Sequence, residues 1–330
     1  MSSEPAGAAA AQLPNVVPVG TLAALRRFGR RRRTPLTVAA SLGTVGVLCL
    51  ALAGHRAEFD QALSGTSTEV LLAAIALQIV ALLSRTEAWH LTIESAGGTV
   101  ARRVLYRASS AQVLGSVING HLGVAARIAA LRRSSPDVAP QVPTLIAAEF
   151  PILAIEAALA ALTSFTLIVP LGLPWWLPLV GIAVIGALFA GLRQLALRKT
   201  RELWRGLAVL RTIGRGGRVV AFVLVAVFAQ IARNWLLLHA VGVDASVFDA
   251  IAVLIAVVTL GQLPVGPAVG AAAAVLILGH DGVAATAAAG VLMTATGTIG
   301  GLVFAAWAAV DGLGCRLGLA RRQRRAAGHA

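Results

Sequence analysis

Two arginines and two glutamates lie inside long apolar stretches of this sequence, where charged side chains are rare. Arg127 and Arg233 have mostly apolar neighbours, and Glu149 and Glu156 lie together on another apolar stretch. A charge in membrane hydrocarbon costs at least about 2.5–3.5 kcal/mol, so such residues usually pair with one another or bind a ligand. The chemistry that they offer is electrostatic: an arginine can hold a lipid phosphate, and a carboxylate can pair an arginine.

Each of these arginines also has a structural alternative. Arg127 either binds an anion near the membrane centre or extends to the cytoplasmic surface. Arg233, with the adjacent Asn234, lies deep in its stretch and either lines a cavity or reaches the outer headgroups. Arg85 and Trp89 lie near the end of an earlier stretch, and we expect both to anchor it at the membrane interface.

The two glutamates are separated by seven residues, two turns of a helix, and therefore lie on one helix face. Glu149 and Glu156 either form an ion pair with one of the two arginines or relay protons. Two amides, Asn119 and Gln262, lie where the chain is expected to leave its helices. They either bond to freed backbone groups or contact a headgroup. The candidate substrate-binding residues are therefore Asn119, Arg127, Glu149, Glu156, Arg233, Asn234 and Gln262.

No catalytic or metal-binding pattern accompanies these residues. The six histidines are scattered, and the two cysteines, Cys49 and Cys315, are far apart in or beside apolar stretches. The glycines at 214–217 are not followed by the Lys-Ser/Thr of a nucleotide-binding loop. We therefore expect no metal, no cofactor, no disulfide and no enzymatic activity.

The composition explains where such residues must lie. Hydrophobic residues make up 58% of the chain and charged residues only 13%, against about 25% in soluble domains. The net charge of +14 comes from arginine-rich blocks between the apolar stretches, the pattern that orients membrane proteins and not one that binds nucleic acid. The sequence therefore predicts an all-α, polytopic membrane helical bundle.

Eight apolar stretches position the candidate residues, and two of them are interrupted. The stretches lie at 36–53, 69–88, 104–131, 142–169, 175–195, 219–241, 250–278 and 283–310. The interruptions consist of helix-disfavouring residues, predicted to be hairpin tips: Gly115, Gly120 and Gly123 in the first, and Gly261, Pro264, Gly266, Pro267 and Gly270 in the second. The stretch at 36–53 ends in a motif typical of a signal-peptidase site, but the long polar region before it favours an uncleaved helix.

The arginine blocks assign a side of the membrane to each connection. The N-terminus, the 193–218 loop and the C-terminus are all placed in the cytoplasm. With this placement, the 104–131 stretch must start and end on the cytoplasmic side, and the 250–278 stretch must start and end on the outer side. The prediction is about six full spans plus two re-entrant helical hairpins. The domain boundaries are a disordered basic cytoplasmic N-terminus at 1–35, an integral membrane domain at 36–312 with repeat halves at about 69–169 and 219–310, and a basic cytoplasmic tail at 313–330.

A weak internal repeat links the two halves. Arg85 and Trp89 are followed by Gly97, and Arg233 and Trp235 are followed by Gly242. The glycines of the two interrupted stretches then follow in the same order. Because the halves are predicted to have opposite orientations, this order is typical of an inverted-topology repeat.

Three segments of the chain match the motifs of a known family: Arg85-Thr-Glu-Ala-Trp89, Gly115-Ser-Val-Ile-Asn119 through Arg127, and Leu263-Pro264-Val-Gly266-Pro267-Ala-Val-Gly270. Over about residues 69–312 the chain resembles the membrane domain of the lysylphosphatidylglycerol synthases, a flippase-like family. The resemblance implies a lipid-translocating or lipid-binding membrane domain.

Three functions are compatible with these features. The first is a transporter or binder of an anionic or polyprenyl-linked lipid, with membrane lipids as the partners. The second is a non-catalytic interaction subunit that positions an envelope-biosynthesis enzyme at the membrane, and an intramembrane enzyme is the weakest alternative. The expected location is the inner (plasma) membrane, multi-pass, with both termini cytoplasmic.

Overall fold

The computed structural model describes residues 55–116, 120–134, 139–198, 209, 213–261, 269–279 and 282–327, and every regular element in them is a helix. The predicted all-α class is therefore confirmed for this part of the chain. The helices are α1 (Arg56–Ser64), α2 (Thr68–Ser95), α3 (Arg102–Ser116), α4 (Gly120–Ser134), α5 (Val142–Ala147), α6 (Phe150–Thr163), a 3₁₀ turn (Ser164–Leu167), α7 (Ile168–Leu171), α8 (Leu177–Arg198), α9 (Ile213–Ala240), α10 (Val247–Leu260), α11 (Val269–Leu278) and α12 (Val283–Ala327).

Five segments are long and apolar enough to cross a membrane: Thr68–Ser95, Val142–Leu171, Leu177–Leu195, Gly214–Ala240 and Val283–Asp311. They coincide with five of the predicted full spans. The sixth, at 36–53, lies outside the described residues, as does the predicted N-terminal segment. The five segments indicate a multi-pass integral membrane protein.

The helices α2 and α9, which we call the central helices, pack antiparallel and share the most extensive helix–helix contact in the described chain. Ala74 shares a buried cluster with Leu237, and Ala81 packs with Ala226 and Ala229. Positions that increase along α2 therefore meet positions that decrease along α9. Small side chains at the contact let the two backbones approach closely, as in many membrane helix pairs.

Both central helices end in the same way. Each has 28 residues, and each is followed by a glycine with positive φ, 91° at Gly97 and 84° at Gly242. The N–H of the residue after this glycine donates to the carbonyl five residues earlier, Gly98 to Ile93 (3.0 Å) and Val243 to Leu238 (3.1 Å). This pattern is the Schellman motif, in which glycine adopts the left-handed conformation without a Cβ clash. The two halves of the sequence thus share a helix of equal length with an equal ending.

The first interrupted stretch forms two helices, α3 and α4, that fold back on each other. A Cβ placed on Gly115 would lie 2.9 Å from the Cα of Gly123, so only glycine permits this approach near the turn. At the other end of the pair, Leu105 and Leu131 share one buried cluster. Each helix has 15 residues, a length of about 22 Å, which is shorter than the roughly 30 Å hydrocarbon core.

The second interrupted stretch also forms two short helices, α10 and α11. The first begins with a capping box in which Ser246 and Asp249 satisfy each other's backbone N–H groups. The second packs on α12, where the backbone of Gly270 lies against Gly290. With 14 and 10 residues, neither helix can span the hydrocarbon core alone.

Two spans differ from their predicted form. The 142–169 stretch is divided at Glu149, because Pro151 has no N–H to donate to the preceding turn. The last helix does not end near residue 310 but continues to Ala327, so most of the predicted cytoplasmic tail is helical.

Candidate functional site

Polar and aromatic residues on one face of α2 organise the candidate site. Gln78, Arg85 and Trp89 are spaced by seven and four residues, so their side chains lie above one another on the helix surface. Each of them meets a candidate residue from another helix. These three contacts belong to two groups of residues. We call them the Arg127 cluster (Arg85, Trp89, Arg127, Glu149 and Glu156) and the Arg233 cluster (Gln78, Gln230, Arg233 and Asn234).

In the Arg127 cluster, the guanidinium of Arg127 is enclosed on two sides. It forms an ion pair with Glu149, and its central carbon lies 3.9 Å from the centre of the Trp89 ring. Arg127 is 1% exposed and Trp89 is completely buried. The ring face is the electronegative part of the indole and attracts the cation, so Trp89 and Glu149 both stabilise the charged arginine.

A second ion pair completes this cluster. Arg85 donates from Nη2 to Glu156 Oε2 over 3.1 Å, and both side chains are partly exposed. Glu149 lies at the break before α6 and Glu156 lies within α6, and they pair with Arg127 of α4 and Arg85 of α2, respectively. The cluster therefore contains two positive and two negative charges, and it is neutral as a whole.

The buried N–H donors in the Arg127 cluster are not all matched by acceptors. Among the described residues, none accepts a hydrogen bond from Trp89 Nε1, from Arg127 Nε or from Arg85 Nε. Buried polar groups are almost always hydrogen-bonded, so unmatched donors in one cluster indicate a place for additional acceptors.

In the Arg233 cluster, the arginine meets amides and no carboxylate. Arg233 Nη1 donates to Gln78 Oε1, which also accepts from Gln230 Nε2 at 2.9 Å. The same Nη1 atom lies 3.3 Å from where a Cβ on Gly297 would stand. Gly297 is the middle residue of the Val283–Asp311 span, so the guanidinium lies beside the centre of that span.

Arg233 has no ion pair within the described part of the chain, although it is only 8% exposed. Its Nε and both amide atoms of Asn234 are buried without a hydrogen-bond partner among the described residues. An unpaired charge in a low-dielectric environment is strongly unfavourable, and a bound anion would relieve it. The Arg233 cluster is therefore the better candidate for an anion site in the structure as it stands.

Comparison with known proteins gives no match. No family model matches the chain, and neither a curated protein nor a solved structure matches it. Function must therefore be argued from the two clusters.

The clusters are separate sites. Arg127 lies over Trp89, and Arg233 bonds to Gln78, eleven residues earlier on α2. Eleven residues of a helix rise about 16 Å. The two arginines therefore contact α2 at different heights. The sequence led us to expect that Arg127 or Arg233 faces a space between the two hairpin tips; much of both tips lies outside the described residues, so this stays a prediction.

The other predicted roles have mixed outcomes. Glu149 pairs with Arg127, one of the two partners that we considered, whereas Glu156 pairs with Arg85. The interface-anchor prediction for Trp89 is wrong, because its ring is completely buried against Arg127 and is not exposed at the surface of the protein. Among the predicted tip residues, Gly115, Gly120, Gly123, Gly261 and Gly270 are described; Asn119, Gln262, Pro264, Gly266 and Pro267 lie outside the described residues.

Sequence reasoning missed three contributors. Gln78 and Gln230 hold Arg233, and the signal for them was the presence of an amide in each of two apolar stretches that pack antiparallel. Arg107 was not among the predicted site residues, yet it donates from Nε and Nη2 to Asp311 Oδ2 at 3.0 and 2.6 Å. That contact fixes α3 to α12. Within the described residues, no group of three His, Cys, Asp or Glu side chains could hold a metal ion.

Proposed function

We propose that this integral membrane protein binds the anionic headgroup of a membrane lipid and moves that lipid between leaflets. The observation that carries the proposal is Arg233, a buried arginine beside the centre of a candidate membrane span whose hydrogen-bond partner within the described residues is the amide of Gln78. A phosphate or pyrophosphate group supplies the negative charge that the protein lacks there. The ligand class is therefore an anionic or polyprenyl-linked lipid, whose acyl or prenyl chains stay in the bilayer.

The arrangement of the short helices supports movement and not only binding. In the pairs α3–α4 and α10–α11, no single helix is long enough to cross the hydrocarbon core, and the chain breaks between the two helices of each pair. We propose that they are re-entrant hairpins in the two halves of an inverted repeat, a construction common in transporters. The matching Schellman endings of α2 and α9 support the repeat. The resemblance to the flippase-like domain of lysylphosphatidylglycerol synthases leads to the same proposal.

The test is the substitution Arg233→Gln, which removes the charge but keeps a polar side chain. A charge-assisted hydrogen bond contributes about 1.5–3 kcal/mol, so occupancy by anionic lipid should fall at least about tenfold. Native mass spectrometry of the purified protein measures bound lipid, and reconstituted vesicles measure lipid exchange between leaflets. The matched control is Arg218→Gln, which removes an exposed arginine from the same helix.

Unchanged occupancy and unchanged exchange in a folded Arg233→Gln protein would contradict the proposal. The alternative would then be an interaction subunit that positions an envelope enzyme through its basic cytoplasmic segments. Loss of binding in Arg218→Gln as well would show that only net charge matters and would also count against a specific site.

A further inference from the structure

The Arg127 cluster contains buried N–H donors without an acceptor and equal numbers of positive and negative side chains. Trp89 Nε1, Arg127 Nε and Arg85 Nε have no acceptor among the described residues, and Trp89 and Arg127 are almost completely buried. An oxyanion offers several acceptor lone pairs and would satisfy such donors. However, two arginines already face two glutamates, so an added anion would leave the cluster with excess negative charge.

A proton removes this excess. If a carboxylate of the cluster becomes neutral when the anion enters, the total charge of the cluster does not change. A buried carboxylate without its cationic partner is strongly disfavoured as an ion and takes up a proton instead. Loss of the arginine partner and gain of a proton are therefore expected to occur together.

The geometry points to Glu149 as the group that takes up the proton. We propose that the Arg127 cluster is a second anion site, in which a phosphate group replaces Glu149 as the partner of Arg127 while Glu149 accepts one proton from water. The ligand chemistry rests on the proposed function, but the site and the coupled proton are additional to it. Binding of one anionic headgroup is thereby coupled to uptake of one proton.

Burial distinguishes Glu149 from the other carboxylate. The side chain of Glu149 is 10% exposed and that of Glu156 is 26% exposed. Glu156 keeps Arg85 as its partner when an anion enters, whereas Arg127 is the partner of Glu149 among the described residues. Within the described residues, the charged groups that act on Arg127 besides Glu149 are Arg85 from α2 and Glu156 from α6.

Trp89 allows Arg127 to change partners without leaving its place. The indole ring lies against the guanidinium and attracts it whichever anion occupies the other side. The break of the chain at Glu149, before Pro151, places that carboxylate at the end of a helix and not within one. A small rotation there separates the glutamate from Arg127 without disturbing a continuous helix.

Calorimetry of the detergent-purified full chain tests the coupling directly. Short-chain phosphatidylglycerol is titrated into the Arg233→Gln protein, in which the Arg127 cluster is the remaining proposed anion site. Buffers of different ionisation enthalpy report the protons taken up per lipid bound. We expect about one proton per lipid, and an affinity that falls about tenfold per pH unit wherever Glu149 is ionised in the free protein. Binding without proton uptake would overturn the inference and leave the proposed function standing.

Two further ligands identify the source of the phosphate group. Inorganic phosphate that binds with the same proton uptake would assign the site to the free ion, whereas binding of phosphatidylglycerol alone would assign it to a lipid headgroup. Equal binding of short-chain phosphatidylcholine, with no net charge, would contradict the charge argument.

Variants assign the proton to Glu149. Glu149→Gln imitates the protonated state, so its anion binding should be independent of pH and accompanied by no proton uptake. The electroneutral double variant Arg127→Gln/Glu149→Gln removes the site without leaving an unpaired charge, and it should lose this binding. The matched control is Glu94→Gln, an exposed glutamate on α2. Proton uptake that persists in the double variant would overturn the proposal, even if the single variant does not fold.

Discussion

Arg127 and Arg233 are both buried arginines that pack against the same face of α2, yet they meet different partners. Arg127 has a carboxylate and an aromatic ring, Glu149 and Trp89, whereas Arg233 has the amides of Gln78 and Gln230. The difference shows that burial alone does not define a ligand site. A paired arginine already has a counter-ion and must exchange it to bind an anion, whereas an arginine held by amides can bind an anion directly.

The two environments also predict opposite effects on stability. Breaking a buried ion pair leaves one charge uncompensated, which is strongly destabilising. Removing a buried charge that has no counter-ion takes away an unfavourable desolvation term. Substitutions at the two arginines and at their partners therefore separate the two cases.

The largest expected effect is that of Glu149→Ala. It leaves Arg127 buried without a counter-ion, and the free energy of unfolding should fall by about 3–5 kcal/mol. Denaturant unfolding in detergent micelles measures the change. Addition of Arg127→Gln to this variant should recover most of the loss, because the uncompensated charge is then gone. A double variant as unstable as Glu149→Ala would mean that the lost packing, and not the charge, dominates.

The next effect has the opposite sign. Arg233→Gln should raise the free energy of unfolding of the lipid-free protein by about 1–2 kcal/mol, because two amides offset little of the desolvation penalty of a buried ion. Thermal unfolding after exhaustive delipidation measures it, and anionic lipid should stabilise only the wild-type protein at this site. A destabilised Arg233→Gln protein would indicate a counter-ion for Arg233 and would remove the contrast with Arg127.

The smallest effect is expected for Arg85→Gln. The ion pair between Arg85 and Glu156 is partly exposed, at 39% and 26% of the side chains. We expect the exposed part to face water, where ion pairs contribute about 0.2–1 kcal/mol. The same unfolding assay should show a loss within that range. A loss as large as that of Glu149→Ala would place this pair in hydrocarbon and not in water.

Much of the fold follows from the pattern of the sequence. Apolar stretches of about 20 residues must form helices in a membrane, because every backbone group has to bond within its own segment. Glycine and proline then mark where two of the stretches break, and Gly97 and Gly242 mark where the central helices end. These are local effects of residue type, so they could be predicted without knowledge of the tertiary structure.

The sequence also determined that buried charges would exist, since Arg127, Arg233, Glu149 and Glu156 lie in apolar stretches whatever the packing. Their partners depend on which helix faces meet and at what height, and periodicity within one helix contains no information about this. Only the tertiary structure placed Trp89 under Arg127 and Gln78 against Arg233, about 16 Å apart along α2. The antiparallel packing of α2 on α9 and the return of α4 toward Glu149 set those heights, and they decided which arginine has a counter-ion.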